Sequence, residues 1–124
     1  MRTTDILLID DEPLVLRTVK RRLSDAGFTV ATTSCTSEAR ELLRRFSFGV
    51  ILCDHNMPGE TGLEFLTEIR AQYPTIRCFM LSGLAAGMQA TESWATRIGV
   101  EKIFQKPCDT DEIIREIDRS ESVF

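Results

Sequence analysis

The sequence is poor in the residues that build ready-made metal and redox sites. It has one histidine, His55, and four cysteines at 35, 53, 78 and 108, with no CxxC pair and no Cys/His cluster. That spacing argues against a zinc ribbon or a dithiol redox motif and reads as reduced, mostly buried thiols. Long apolar runs are also missing: stretches such as Gly49–Cys53 reach about five residues, where a bilayer-spanning helix needs about 20. Basic charge is not in excess. Fifteen Lys and Arg against nineteen Asp and Glu leave a net charge of −4, a poor match for nonspecific binding to nucleic acid or an anionic membrane. The chain reaches a carboxylate at Asp5 before any apolar signal core begins, so the expected location is the cytoplasm. What is present, 43% apolar and 27% charged residues over 124 positions, is the balance of one globular domain with its own core.

Short apolar runs alternate with amphipathic ones. Ile6–Ile9 predicts a buried strand. Leu16, Val19, Leu23 and Ala26 recur at helical spacing opposite Arg17, Lys20 and Arg21, with Pro13 suited to the first turn and Gly27 to the exit. Phe28–Ala31 predicts a second strand. Residues Ser34 to Ser37 offer N-caps for a helix carrying Ala39, Leu42, Leu43 and Phe46. Gly49–Cys53 predicts a third strand covered on both faces. The turn-forming segment Asp54-His55-Asn56-Met57-Pro58-Gly59 leads into a helix with Leu66, Ile69 and Tyr73, stopped by Pro74. Ile76–Leu81 predicts a fourth strand, 82–87 a small flexible connection, and Met88–Ile98 a helix with a thin apolar stripe of Ala90, Trp94 and Ile98. Val100–Gln105 predicts a fifth strand, and Asp109 or Thr110 can cap a last helix carrying Ile113, Ile114 and Ile117.

Five βα units in strict alternation predict an α/β fold, a parallel sheet with helices on both faces and right-handed crossovers. Ligands in such sheets bind beyond the carboxyl ends of the strands, where the strand order reverses. Strand one ends in Asp10-Asp11-Glu12, strand three in Asp54, strand four in Ser82 and strand five in Lys106. If strands one and three are neighbours, Asp10, Asp11 and Asp54 converge. Like charges about 4 Å apart repel by roughly 4 kcal/mol per pair at an effective dielectric near 20. An oxygen-only cluster of this kind suits a hard cation such as Mg2+, which takes one or two carboxylates together with a phosphate oxygen. Taken singly, each residue has a plainer reading: Asp11 as a helix cap, Asp54 as a turn residue, Ser82 as the start of a loop, Lys106 as a solvated lysine. Their joint placement on one rim is the argument for a site.

Four pieces in order, Ile9-Asp10-Asp11-Glu12, Asp54 to Gly59, Leu81-Ser82-Gly83 and Gln105-Lys106-Pro107, resemble those of response-regulator receiver domains, the phosphoacceptor half of two-component signalling. The resemblance runs from Asp5 to about Arg119. The separations match as well: 43 residues from Asp11 to Asp54, 28 to Ser82 and 24 to Lys106. It implies a flavodoxin-like (βα)5 three-layer sandwich with strand order 2-1-3-4-5. It implies phosphorylation of Asp54 by a sensor histidine kinase or a histidine phosphotransfer protein, with Ser82 and Lys106 contacting phosphoryl oxygens. Mg2+ would be held by the side chains of Asp11 and Asp54, the backbone carbonyl of Asn56 and, through water, Asp10. Pro107 would follow a cis peptide bond. The implied protein phosphorylates and dephosphorylates itself and is not a turnover enzyme; its state switches a partner or an output domain. A homodimer through helix four, strand five and helix five is a candidate assembly. Direct nucleic-acid binding, membrane insertion and an output domain within residues 1–124 are not expected.

One position departs from the family pattern. Three residues before Lys106, where the family usually carries an aromatic ring, stands Ile103, with Phe104 next. A switch built on rotation of a ring is unavailable there, which leaves a differently built switch or coupling through backbone shifts. Cys53 beside Asp54 reads as a buried thiol without an activating neighbour, and His55 as loop surface, not a ligand. Arg17, Lys20 and Arg21 read as a solvated face or, given the resemblance, a kinase-docking surface. Two alternatives stand beside the main reading. One is a degenerate receiver that only binds partners; the complete set of Asp10, Asp11, Asp54, Ser82 and Lys106 argues against it. The other is a phosphohydrolase with an aspartyl-phosphate intermediate; the adjacent Asp10-Asp11 pair and the lack of residues for a cap argue against that.

Overall fold

The computed structural model describes residues 2–83 and 88–121. Strands and helices alternate as β1 (Arg2–Ile9), α1 (Pro13–Asp25), β2 (Val30–Thr33), α2 (Thr36–Arg45), β3 (Phe46–Asp54), α3 (Gly62–Gln72), β4 (Arg77–Ser82), α4 (Met88–Ile98), β5 (Val100–Gln105) and α5 (Thr110–Glu121). All strand pairs are parallel, and the order is β2-β1-β3-β4-β5, the flavodoxin-like order expected. The chain therefore reverses direction across the sheet between β1 and β3.

Side-chain alternation along the strands builds the layers. Ile6 and Leu8 of β1 pack with Val50 and Leu52 of β3 against Val19 and Leu23 of α1 and Ile113 and Ile117 of α5. Leu7, Ile9, Ile51 and Cys53 point the other way, against Ala39 and Leu43 of α2, Leu66 and Ile69 of α3 and Ala95 of α4. A strand covered on both faces has no exposed position for a polar residue, which is why these runs are apolar throughout. At the helix ends, Pro13 occupies the first turn of α1 and Gly27 leaves it at φ 102°. A capping box between Thr61 and Glu64 starts α3: Thr61 N–H donates to Glu64 Oε1 at 2.8 Å and Glu64 N–H to Thr61 Oγ1 at 3.1 Å.

The structure departs from the sequence pattern where long-range pairing overrides local period. β2 is displaced two residues along the chain from the expected Phe28–Ala31. Thr29 and Asp5 exchange backbone-to-side-chain bonds of 2.8 Å each, and the Cα ladder with β1 opens at Val30 opposite Ile6. β3 begins at Phe46, assigned by helical spacing to α2, because β1 extends back to Arg2 and pairs with it. In α4 the buried residue is Ala95, while Trp94 stays 40% exposed and Ala90 is also exposed. Residues 84–87 of the expected flexible connection lie outside the described residues. Cys53 and Cys78 are buried and Cys108 partly so, but Cys35 is exposed; all four are free. No described helix is long and apolar enough to cross a membrane.

One glycine sets how α3 meets the sheet. Gly62 N–H donates to the carbonyl of His55 at 2.8 Å. A Cβ at this position would run into the carbonyl oxygen of Asp54 and lie 2.9 Å from His55 Cα. Gly62→Ala must therefore push α3 off the end of β3. The expected loss is about 1–3 kcal/mol in urea unfolding, the usual range for overpacking; an unchanged midpoint would show that the junction is loose.

Candidate functional site

The carboxyl ends of β1, β3, β4 and β5 deliver Asp10, Asp54, Ser82 and Lys106 to one rim, beside the β1/β3 reversal. Backbone bonds continue along the rim beyond the ladders: His55 N–H donates to the Leu81 carbonyl at 2.9 Å and Lys106 N–H to the Ser82 carbonyl at 2.8 Å. Asp10 is fully buried, Asp54 is 1% exposed and Ser82 is buried. The Lys106–Pro107 bond is cis, as expected.

Lys106 Nζ lies 2.8 Å from Asp10 Oδ2, 2.8 Å from Glu12 Oε1 and 3.2 Å from Asp54 Oδ2. Asp54 Oδ1 accepts the backbone N–H of Asn56 at 3.3 Å, and Asp10 Oδ1 accepts that of Glu12 at 2.9 Å. Asp10 Oδ2 is buried, with no aligned hydrogen-bond donor among the described residues, and lies against the Lys106 ammonium. Burial, and next the neighbouring Asp10 carboxylate, push the Asp54 pKa from 3.8 up to about 6, against the opposing pull of Lys106. For Lys106, burial acts to lower the pKa, but Asp10, Glu12 and Asp54 more than reverse it, so the ammonium stays charged.

Among the described residues, Asp10, Glu12 and Asp54 offer oxygen atoms that all lie within 4.8 Å of one another. Three carboxylates share one ammonium, and one buried oxygen still lacks an aligned donor. Such an all-oxygen set fits a hard divalent cation. Glu12 joins the acids that the sequence reading placed in the site. Asp10, expected to act through water, has its carboxylate within the cluster. Glu12, which sequence reasoning placed on the rim but not in the site, reaches Lys106 from the N-cap position of α1. Its only sequence signal was the run of three acids after β1; strand alternation cannot say which residue of a turn folds inward. Asp11 is exposed and outside the cluster, and it does not cap α1, whose N-cap is Glu12 with no side-chain cap bond. Asn56 is exposed, with its backbone beside Asp54.

The remaining candidates sort themselves by burial. Cys53 is fully buried, and desolvation holds its thiol well above the usual pKa, so it stays a protonated core residue. His55 is half-buried instead of on the loop surface: its Nδ1 is buried without a hydrogen-bond partner, and desolvation lowers its pKa. It borders a groove with Leu63, Ala90 and Trp94. Ile103 packs on the α4 side of the sheet, while Phe104 is buried on the other face, stacked 5.9 Å from Phe79. The aromatic ring of β5 is therefore locked in the core. Arg17, Lys20 and Arg21 are exposed on α1 as expected.

Comparison with known proteins bears on the family and the fold. A sequence profile described as "Response regulator receiver domain" matches residues 6–118. The hydrogenase transcriptional regulatory protein HoxA of Cupriavidus necator is 38% identical over 109 residues, covering 88% of this chain and 22% of that protein. The alginate biosynthesis transcriptional regulatory protein AlgB of Pseudomonas aeruginosa is 34% identical over 108 residues, covering 87% of this chain and 24% of its own length. The chain thus spans about a quarter of the length of these curated relatives. The crystal structure of the NtrX receiver domain from Brucella abortus superposes with a TM-score of 0.85 at 30% identity, covering 96% of this chain and all of that one.

The raised Asp54 pKa makes stability depend on pH. Between about pH 4 and 6 the folded protein holds a proton on Asp54 that the unfolded chain has lost. Stability therefore falls as pH rises through that window, and the full penalty stands above it. In metal-free buffer at about pH 8, Asp54→Asn should be more stable than wild type by up to about 3 kcal/mol, and the gap should close below about pH 4. Urea unfolding in the presence of a chelator measures this; a gap independent of pH would mean that Asp54 ionises without penalty.

Proposed function

The chain belongs to the response regulator receiver domain family, and from that premise we propose that it is the phosphoacceptor of a two-component phosphorelay, with Asp54 as the acceptor and Mg2+ as the required ion. The observation that carries this reading is the buried Asp54 carboxylate, raised in pKa and set beside Asp10, Glu12 and a single lysine.

In the proposed reaction an Asp54 carboxylate oxygen attacks the phosphorus of a phosphohistidine on a sensor kinase or phosphotransfer protein. The new O–P bond forms as the P–N bond breaks, and its electron pair returns to the donor imidazole. Bound Mg2+ would supply positive charge to the phosphoryl oxygens. Asp54, Asp11, which is next to the cluster in sequence, the Asn56 carbonyl and, through water, Asp10 are the proposed holders of that ion; Glu12 is a further oxygen donor in reach. Lys106 would exchange one of its three carboxylates for a phosphoryl oxygen, and the buried Ser82 hydroxyl would donate to another. Water attack on the same acyl phosphate would reset the protein, so the domain cycles on itself and is not a turnover enzyme.

The output would be a shift of population between two arrangements of the rim. With Phe104 packed in the core and Ile103 at the family's aromatic position, the shift would pass through Ser82, α4 and β5, with a homodimer through α4, β5 and α5 as one outcome. The names of HoxA and AlgB suggest that the controlled output is transcription, exerted by a domain other than this one. Binding to nucleic acid by the −4 chain itself is not part of the proposal, and a cytoplasmic location follows from the proposed partners.

Incubation with acetyl phosphate and Mg2+ should add one phosphoryl group, read as an intact mass increase and lost on chelation. Asp54→Asn should abolish the addition. Wild type that stays unmodified with both the small donor and a cognate kinase would overturn the reading, and full labelling of Asp54→Asn would move the acceptor elsewhere.

A further inference from the structure

A second charge cluster sits behind the site, across the seam between α2 and α3. Arg40 of α2 meets Glu68 through Nε and Nη2, each at 2.9 Å, and meets Glu60 through Nη1 at 2.8 Å and Nη2 at 3.1 Å. Its guanidinium also lies over the buried Phe65 ring, 5.1 Å from the centroid. The two carboxylates have different positions in the chain. Glu68 is inside α3, so its bond to Arg40 joins one helix to another. Glu60 lies before α3, on the segment that leaves Asp54 and passes through Asn56.

That segment is fastened mainly at its two ends: near Asp54, Asn56 N–H donates to Asp54 Oδ1 at 3.3 Å and Met57 N–H to the His55 carbonyl at 3.1 Å. Met57 is buried in the core, and the Thr61–Glu64 box holds its far end. Between them Pro58 and Gly59 are exposed, with Gly59 at φ 88°. Glu60 ties this stretch to α2, through Arg40 and through Thr36 in the first turn of that helix. The Arg40 and Glu60 side chains are only 27% and 26% exposed, so the pair is screened less than a surface ion pair.

We infer that Arg40, acting through Glu60, is a positioning residue for the metal-binding loop: it pins the segment whose Asn56 carbonyl is offered to Mg2+. The inference rests on the proposed role of Asn56 in holding that ion. A metal that needs near-ideal octahedral geometry tolerates little drift in a backbone ligand, and outer-shell partners of ligands tune affinity accordingly.

The test compares two truncations that each remove one partner of Arg40. Mg2+ is titrated into the full 124-residue chain, with the backbone amide resonances of Asp54 and Asn56 followed by NMR and the melting temperature recorded beside each titration. Glu60→Ala and Arg40→Ala should weaken Mg2+ binding by about tenfold, the low end for loss of an outer-shell partner. Glu68→Ala should lower the melting temperature comparably to Glu60→Ala yet leave Mg2+ affinity within about twofold, because it frees a helix and not the loop. Equal weakening by Glu60→Ala and Glu68→Ala, or none by Glu60→Ala, would overturn the inference while the metal site stands. Wild-type amides that do not respond to Mg2+ would overturn the metal site itself, and the inference with it.

Discussion

Lys106 is the joint on which the carboxyl rim of the sheet depends. Its ammonium touches carboxylates from the end of β1, the start of α1 and the end of β3, all within 3.2 Å. Without it, two almost fully buried carboxylates, Asp10 and Asp54, would face each other in a region of low dielectric, where isolated charges are strongly disfavoured. With it, one positive charge is shared among three negative ones. The rim is held together with three carboxylates on one ammonium, and burial, then the neighbouring Asp10 carboxylate, raise the pKa of Asp54.

The rest of the molecule is built to tolerate this. Both faces of the central strands are sealed by aliphatic cores, so the cost at one end of the sheet is offset along its length. The opposite end of β4 carries a cluster of the other kind. Arg77, at the start of that strand, bonds Glu101 of β5 at 2.9 Å and the carbonyls of Ile117 and Glu116 of α5 at 3.0 and 3.2 Å, and lies 5.3 Å over Phe79. There Arg77 is paired with Glu101 and ties three elements together. Charge is thus paired at the amino end of β4, while the acids at the carboxyl rim, on β1, α1 and β3, share one lysine.

Much of this was legible in the sequence because the period of the apolar residues changes between strands and helices. Val100–Gln105 coincides with β5, and the helix expected over about 88–98 with the described part of α4. The rim residues Asp10, Asp54, Ser82 and Lys106 follow from one topological rule applied to strand ends. The misplacements share a cause. Phe28, Phe46 and Trp94 were assigned from their neighbours in sequence, but the register of β1 with β2 and β3, and the packing of α4 on α3 and β5, placed them differently. A pattern of short range carries no information about which partner strand begins where.

What the sequence determined by itself was the alternation of elements, the parallel sheet, and which residue types reach its carboxyl rim, because these depend on side-chain period and on the geometry of a βα unit. Only the tertiary structure decided which acids close on Lys106. Asp10, Asp11 and Glu12 are consecutive and chemically alike, yet Asp10 is sealed in, Glu12 turns back to the ammonium, and Asp11 faces solvent. That choice is made by the angle at which α1 leaves β1 and by the distance to a lysine 94 residues away, quantities that exist only once the sheet has brought the two ends together.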